Sequence, residues 1–154
     1  YGIWVENTTE GYAETADQLL ADAKELRARV ETVEVTPDLM MTGAVDLLNE
    51  VSTSKITGEE EIYSHTDLYD FKANIEGAEE IFHILESKIK AKDETLATNL
   101  QAKFDAVNEL LVKYETGDNG FVSYEELTSE DTKLLSDAVN QLGEPLSQMG
   151  IIME

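Results

Sequence analysis

The segment over residues 59–71, EEEIYSHTDLYDF, gathers side chains that can hold a metal ion or move a proton. It contains three glutamates, one histidine and two aspartates. Carboxylate oxygens with one imidazole nitrogen suit iron, manganese, zinc or calcium. Acidic residues at a helix N-terminus also complement the helix dipole, so an ordinary helix start is the other interpretation. Spacing alone favours the helix start and leaves the metal site open.

A polar stripe at helical spacing begins inside this segment and extends beyond it. Its members, separated by four, three and four residues, are Tyr63, Asp67, Asp70 and Asn74. Residues at this spacing share one helix face. The stripe lies beside an apolar stripe, so it is expected at the edge of the core, where side chains can point into a cleft. Glu61 and His65 are also one helical turn apart.

A second candidate is the segment ETGDNGFVSYEE over residues 115–126, which has the length of an EF-hand calcium loop. Gly120 falls at the sharp turn and Glu126 at the position of the bidentate ligand. Glu115 stands where an aspartate is usual, and Gly117 offers no side chain at the third position. The segment is therefore either a calcium loop or a glycine turn between two helices.

A third candidate is the pair His83 and Glu86, since a histidine and a glutamate three residues apart on a helix can bind one metal. The apolar stripe of this helix uses neighbouring positions, so we expect the pair to face solvent. The chain contains no His-Glu-x-x-His, no Gly-x-Ser-x-Gly and no phosphate-binding glycine loop. The sequence thus shows no recognisable catalytic motif of these classes.

Composition limits the class of protein. The 154 residues include 42% hydrophobic residues, enough for one domain with a core. Asp and Glu number 33 against 11 Lys and Arg, a net charge of −22. Such a surface repels nucleic acid and anionic lipid, and it suits cations, a basic partner or plain solubility. Cysteine is absent, which excludes disulfides and thiolate ligands.

Targeting signals are not evident in the sequence. No apolar run reaches the roughly 18–20 residues of a membrane span, and there is no signal peptide. The chain begins at Tyr1 instead of methionine, so we expect that a segment upstream was removed.

Apolar residues recur every three or four positions, which predicts an all-α protein. We predict helices over residues 12–31 and 37–53, a third that runs to about Lys90, a fourth capped by Asp93, and a fifth that starts at Thr128. The first buries a stripe of Ala13, Ala16, Leu19, Leu20, Ala23, Leu26 and Val30. The second buries Leu39, Met40, Ala44, Leu47, Leu48 and Val51. The third buries Leu68, Phe71, Ile75, Ala78, Phe82, Leu85 and Ile89. Pro145 is expected to end or kink the fifth helix.

Short connections between long amphipathic helices predict an antiparallel bundle of four to five helices. We predict that residues 1–154 form a single domain of this kind. The connection before the third helix covers residues 55–64.

Four longer segments of the chain resemble those of a known protein family, which residue spacing alone does not indicate. The segments concerned are KITGEEEIYSHTDLYDFKANIEGA over residues 55–78, GAVDLLNEV over 43–51, KYETGDNGFVSYEEL over 113–127 and EPLS over 144–147. The chain resembles the EfeO/EfeM iron-uptake lipoproteins of the imelysin-like group, which is also called a peptidase family. The resemblance covers essentially the whole chain.

This resemblance implies two helical halves with a cleft between them, in a protein exported to the bacterial cell envelope, periplasmic or lipid-anchored. It implies a carrier that binds iron (Fe2+ or Fe3+, or another divalent metal) and passes it to a membrane iron permease, with a haem-peroxidase-like partner. The hallmark Gly-x-His-x-x-Glu motif of the family is expected just upstream of Tyr1. The chain is therefore expected to be the C-terminal half, and the N-terminal half is an expected partner. His83 and Glu86 lack the leading glycine and do not match that motif.

In this light the half of the site present here is expected to contain the metal ligands Glu60, His65, Asp67 and Asp70. Tyr63 and Asn74 are expected to hydrogen-bond these ligands, and Glu50 is a reserve ligand. Ile62 stands where the resemblance implies a basic residue, so a charge pair near the site is expected to be missing. Two alternatives stay open, a metallopeptidase and a helical interaction module without a metal site.

Overall fold

The computed structural model describes residues 1–117 and 120–153. The described residues form five α-helices, α1 Ala13–Val30, α2 Pro37–Thr53, α3 Asp67–Lys92, α4 Glu94–Val112 and α5 Ser129–Met153. Single turns of 3₁₀-helix lie at Lys55–Thr57 and Tyr124–Glu126. The strands β1 Glu115–Thr116 and β2 Gly120–Phe121 pair antiparallel between α4 and α5. The predicted all-α helical bundle is confirmed.

The chain divides into two compact units, Tyr1–Val35 and Thr36–Glu154. The first unit contains α1, and the second contains α2 to α5 with the short strands. In the second unit α5 packs against α2 and α4, and α3 packs against the same two helices. The grouping of residues 1–154 into one domain stays a prediction.

In the first unit, α1 forms where its apolar periodicity predicts it, but the expected burial is absent. No residue of α1 is buried, and Leu19 and Leu26 are 69% and 63% exposed. A single helix has no neighbour within its own unit to cover an apolar stripe, so periodicity predicted the helix correctly and its burial wrongly. Trp4, the one tryptophan of the chain, lies in the same unit and is also exposed.

The start of α2 follows its sequence signals. The hydroxyl of Thr36 accepts a hydrogen bond from the backbone N–H of Leu39 (3.2 Å), and Pro37 occupies the first helical position. This is the N-cap and proline arrangement that favours helix initiation. The buried face differs by part of a turn, because Met41 is buried while Leu39 is exposed.

Helices α3 and α4 supply the centre of the core. All seven residues of the predicted α3 stripe are buried. Phe82 stacks on Phe104 of α4, with ring centroids 5.8 Å apart. Asp93 separates the two helices, and its carboxylate accepts from the N–H of Leu96 (2.9 Å), as the predicted N-cap requires.

Of the two expectations for Pro145, an end or a kink of helix α5, the structure contradicts the end. The helix passes through this proline and continues to Met153. Proline removes one backbone hydrogen bond from a helix interior. Leu142, Leu146 and Met149 on either side are fully buried, and we attribute the continuity of α5 to this packing.

Candidate metal centre

The 55–66 loop, which precedes α3, carries half of the predicted site. Helix α3 begins at Asp67, so Glu60, Tyr63 and His65 lie in this loop and not on the helix. His65 has a backbone φ of +55°, a left-handed conformation that an α-helix cannot contain. The expectation that Tyr63 shares a helix face with Asp67 is therefore wrong.

Asp67 is the buried acid of the site. Its residue is 6% exposed at the first position of α3. Its Oδ1 accepts a hydrogen bond from the backbone N–H of Glu61 (3.3 Å). Its Oδ2 is buried and has no hydrogen-bond partner. Leaving a buried carboxylate oxygen unpaired is costly, so this atom is suited to a partner that arrives from outside.

Asp70, one turn further along α3, is surrounded by other acids. The residue is exposed, but partial desolvation raises the pKa of its carboxyl group; the negative charges of Glu61, Asp67 and Glu60 raise it further, while Lys55 opposes them. Like charges that repel one another favour the protonated form. The same repulsion favours a bound cation.

Lys55 is the basic residue of this region. Its ammonium lies 2.7 Å from the carboxylate of Glu60, and this hydrogen bond raises the pKa of Lys55 above its ordinary value. The charge of Glu50 on α2 acts in the same direction. Lys55 thus provides a charge pair near the predicted site, although Ile62, where the resemblance implied a basic residue, is half exposed.

The side chain of His65 forms its ion pair with a carboxylate other than the predicted ones. Its backbone N–H donates to the carbonyl of Glu61 (2.7 Å), which is the one-turn relation that the spacing predicted. Its Nε2 lies 3.6 Å from a carboxylate oxygen of Glu125. Glu125 was not among the predicted residues, because it is 60 positions away in the sequence and no local pattern marks it.

The remaining predicted residues lie around this group. Tyr63 is 45% exposed in the loop, and Asn74 is half buried one turn after Asp70. Within residues 1–117 and 120–153, no three His, Asp or Glu side chains are arranged so that they can hold one ion. Asp67, Asp70 and Glu61 form one electrostatic cluster, while Glu60 and His65 are paired with Lys55 and Glu125.

Sequence patterns did not single out Tyr124, which the fold brings to the 55–66 loop. Its ring lies over Gly58, its hydroxyl donates to the carbonyl of Ile56 (2.6 Å), and its N–H donates to the carbonyl of His65 (3.0 Å). Burial, followed by the charge of Asp67, raises the pKa of Tyr124 to about 12. A contact between residues so far apart leaves no local sequence signal.

The His83 and Glu86 pair behaves as expected of surface residues. His83 is exposed and hydrogen-bonds Gln101 of α4 (3.3 Å). Glu86 forms an ion pair with Lys90 (2.7 Å). The two side chains therefore have separate partners.

The 115–126 segment has the form of a turn in its described part. Glu115 and Thr116 pair with Gly120 and Phe121 as a short hairpin. The carboxylate of Glu126 accepts from the N–H of Ser123 (3.3 Å) in a capping box. Asp118 and Asn119, which fall inside the predicted calcium loop, lie outside the described residues.

Comparison with known proteins identifies the class of this helical protein. The chain matches the imelysin (peptidase M75) family over residues 1–149, and it belongs to that family. It is similar to two staphylococcal proteins that are each named Efem/EfeO family lipoprotein. The Staphylococcus haemolyticus (strain JCSC1435) protein is 59% identical over 150 residues, 97% of this chain and 51% of the relative. The Staphylococcus aureus (strain MSSA476) protein is 58% identical over 139 residues, 90% of this chain and 49% of the relative.

The resemblance inferred from residues 55–78 and the other motifs is thereby confirmed. The chain spans about half the length of the curated relatives that it matches.

Proposed function

We propose that this chain is a metal-binding part of a cell-envelope iron-uptake protein, and that it carries the ion without catalysing a reaction. The observation that carries the proposal is the buried Asp67, whose Oδ2 has no protein partner beside the acidic residues Asp70 and Glu61. Membership of the imelysin family and similarity to proteins named Efem/EfeO family lipoprotein support it.

A hard cation would satisfy both features of this cluster. It would supply the partner that Asp67 Oδ2 lacks, and it would offset the repulsion that, after desolvation, raises the pKa of Asp70. Carboxylate oxygens suit Fe2+, Fe3+ and other hard or borderline divalent ions. Iron is the proposed cargo.

Recruitment of the other two predicted ligands requires local exchange of partners. Glu60 would have to leave Lys55, and His65 would have to leave Glu125. Both side chains lie in the 55–66 loop and not on α3, so this exchange does not require α3 to unfold.

The proposal also includes the cellular location of the protein and its partner proteins. The relatives are named lipoproteins, so we propose that the protein is exported and lipid-anchored in the cell envelope. Among the helices in the described part of the chain, none has both the length and the apolarity to cross a membrane. We further propose that a membrane permease and a haem-peroxidase-like protein are partners, and that the remainder of a full-length family member completes the site.

Calorimetric titration with Fe2+ (anaerobic), Fe3+, Zn2+ and Ca2+ tests the proposal. The variant Asp67→Asn keeps the side-chain shape and removes the charge, and we expect it to weaken iron binding at least tenfold, since it removes a charged ligand. The control is Asp137→Asn, an exposed residue of α5 with the same charge change. The full-length Staphylococcus haemolyticus relative is titrated in parallel, and tighter binding there indicates that the site is shared between the two halves.

Three results would overturn the proposal. Equal iron affinity in the wild type and Asp67→Asn would place the site elsewhere. Peptide hydrolysis by the metal-loaded full-length relative would favour the metallopeptidase alternative. A chain that binds no metal but associates with the remainder of the relative would favour the interaction module.

A further inference from the structure

We infer that Tyr124 is the positioning residue of the candidate metal centre, because it fixes the 55–66 loop in the conformation that leaves Asp67 Oδ2 without a partner. The inference rests on the proposed function and adds to it a residue 54 positions away in sequence from the nearest predicted ligand, Asp70. Tyr124 makes three contacts with this loop, and it is itself held in place by its own turn.

The first contact is between the Tyr124 ring and the backbone of Gly58. A Cβ atom placed on Gly58 would lie 2.6 Å from Cδ1 of the ring, closer than real Cβ atoms come to other atoms. Gly58 also has a φ of +73°, a conformation that glycine adopts readily. The close approach of ring and backbone therefore requires glycine at position 58.

The second and third contacts are hydrogen bonds to the two ends of the loop. The hydroxyl of Tyr124 donates to the carbonyl of Ile56 (2.6 Å), and its backbone N–H donates to the carbonyl of His65 (3.0 Å). One residue thus fixes both ends of a ten-residue span. Tyr124 is 9% exposed, so competition from water for these bonds is limited.

Tyr124 is itself held by the turn that contains it. Ser123 and Glu126 form a reciprocal capping box around this 3₁₀ turn. The N–H of Val122 donates to the carbonyl of Tyr114 at the end of α4 (3.0 Å). The turn that contains Tyr124 is therefore fixed to the end of α4 in the second unit, and it does not move freely with the 55–66 loop.

The connection to the metal centre runs through Glu61. Glu61 lies between the two fixed ends of the loop, and its N–H donates to Asp67 Oδ1 (3.3 Å). This bond orients the Asp67 carboxylate so that Oδ2 is left for a ligand. If Tyr124 released the loop, the Glu61 N–H would leave its position and the carboxylate would lose its orientation.

The test compares Tyr124→Phe with Tyr114→Phe. Tyr114 is a matched control, because its hydroxyl also donates one hydrogen bond, to Asp131 at 2.9 Å, but that bond lies at the start of α5 and not in the loop. Each variant is assayed for iron affinity by calorimetry, for thermal midpoint, and for amide hydrogen exchange of residues 56–65 in metal-free protein.

We expect Tyr124→Phe to exchange the loop amides about tenfold faster and to bind iron about tenfold more weakly, the change that one net hydrogen bond produces. Tyr114→Phe is expected to lower the thermal midpoint by about as much as Tyr124→Phe lowers it. It is expected to leave both the amide exchange of the loop and the iron affinity unchanged. The methyl group that Gly58→Ala adds would collide with the Tyr124 ring and displace it. This variant is therefore expected to reproduce the effect of Tyr124→Phe.

The outcomes separate this inference from the proposed function. Unchanged loop exchange in Tyr124→Phe, or faster exchange with unchanged iron affinity, overturns the positioning role alone. Weaker iron binding in both tyrosine variants to the same degree also overturns it, since the effect would then follow general stability. A wild-type chain that binds no iron overturns the proposed function and the positioning role together.

Discussion

At the scale of single residues, the candidate site combines a buried acid that is only half satisfied with a second acid in a repulsive environment. Asp67 has one oxygen paired with a backbone N–H and one oxygen without a partner. Asp70 has its pKa raised by partial desolvation and by the neighbouring acids. Both features lower the stability of the metal-free protein, and both are features that a cation would offset.

Asp70→Asn is therefore expected to stabilise the metal-free protein at pH 7 while it weakens iron binding. The pKa of Asp70 is raised from 3.8 in the folded state, so the folded protein pays a cost whenever this group is ionised. That cost is present above the folded pKa and disappears as the pH falls toward 3.8. The stabilisation by asparagine should accordingly be full at neutral pH and vanish near pH 3.5.

Urea denaturation in the presence of a chelator, at pH 7 and at pH 3.5, measures this difference. Asp137→Asn serves as the control for the general effect of removing one negative charge from a chain of net charge −22. A variant at position 70 that is less stable than this control at pH 7 would show that the repulsion is not significant.

At the scale of helices, the stacked pair of Phe82 on α3 and Phe104 on α4 joins the two helices at the centre of the core. Both rings are fully buried. Phe82→Ala is expected to lower the free energy of unfolding by about 3–5 kcal/mol, since it removes apolar contact and leaves a cavity.

The control lies on the same helix. Ile84 is 57% exposed, and Ile84→Ala is expected to change the free energy of unfolding by no more than about 0.5 kcal/mol. Chemical denaturation monitored by circular dichroism measures both. A similar loss in the two variants would contradict the assigned burial of the α3 stripe.

Local sequence signals predicted the helices themselves. Thr36 with Pro37, and Asp93, cap helices where expected, because capping depends on residues within one turn. The α3 stripe was predicted residue by residue, since its period matches the helix. Whether α5 ends or continues at Pro145 was left open, because the outcome depends on packing from other helices, which a local pattern does not contain.

The candidate site could be predicted in part, because local spacing places residues of one helix near each other. Asp67 and Asp70 share α3 and its spacing, so sequence placed them together. The left-handed backbone of His65, the Lys55 ion pair and the Tyr124 contacts all depend on how distant segments meet. Periodicity extended the helical stripe back to Tyr63, because it does not register such breaks.

At the scale of the whole molecule, the core belongs to one unit. Its buried members run from Met41 to Met149, all within the second unit. The first unit contains one helix of 18 residues, and in proteins most helical stability comes from tertiary packing of an amphipathic face.

We therefore expect a chain of residues 36–154 to fold by itself. Its thermal midpoint should lie within about 4 °C of that of the whole chain, the shift that roughly 1 kcal/mol produces in a protein of this size. Calorimetry of the two chains measures the difference. Loss of a cooperative transition on removal of residues 1–35 would show that the first unit stabilises the core.

The exposed Trp4 has a practical consequence for such experiments. As the one tryptophan, it dominates the fluorescence of the protein, yet it reports on the first unit and is already in water. The second unit, which contains the core, has no tryptophan of its own to report its unfolding. A flat fluorescence trace during denaturation would thus be compatible with complete loss of the core, and tyrosine absorbance is the optical signal that follows it.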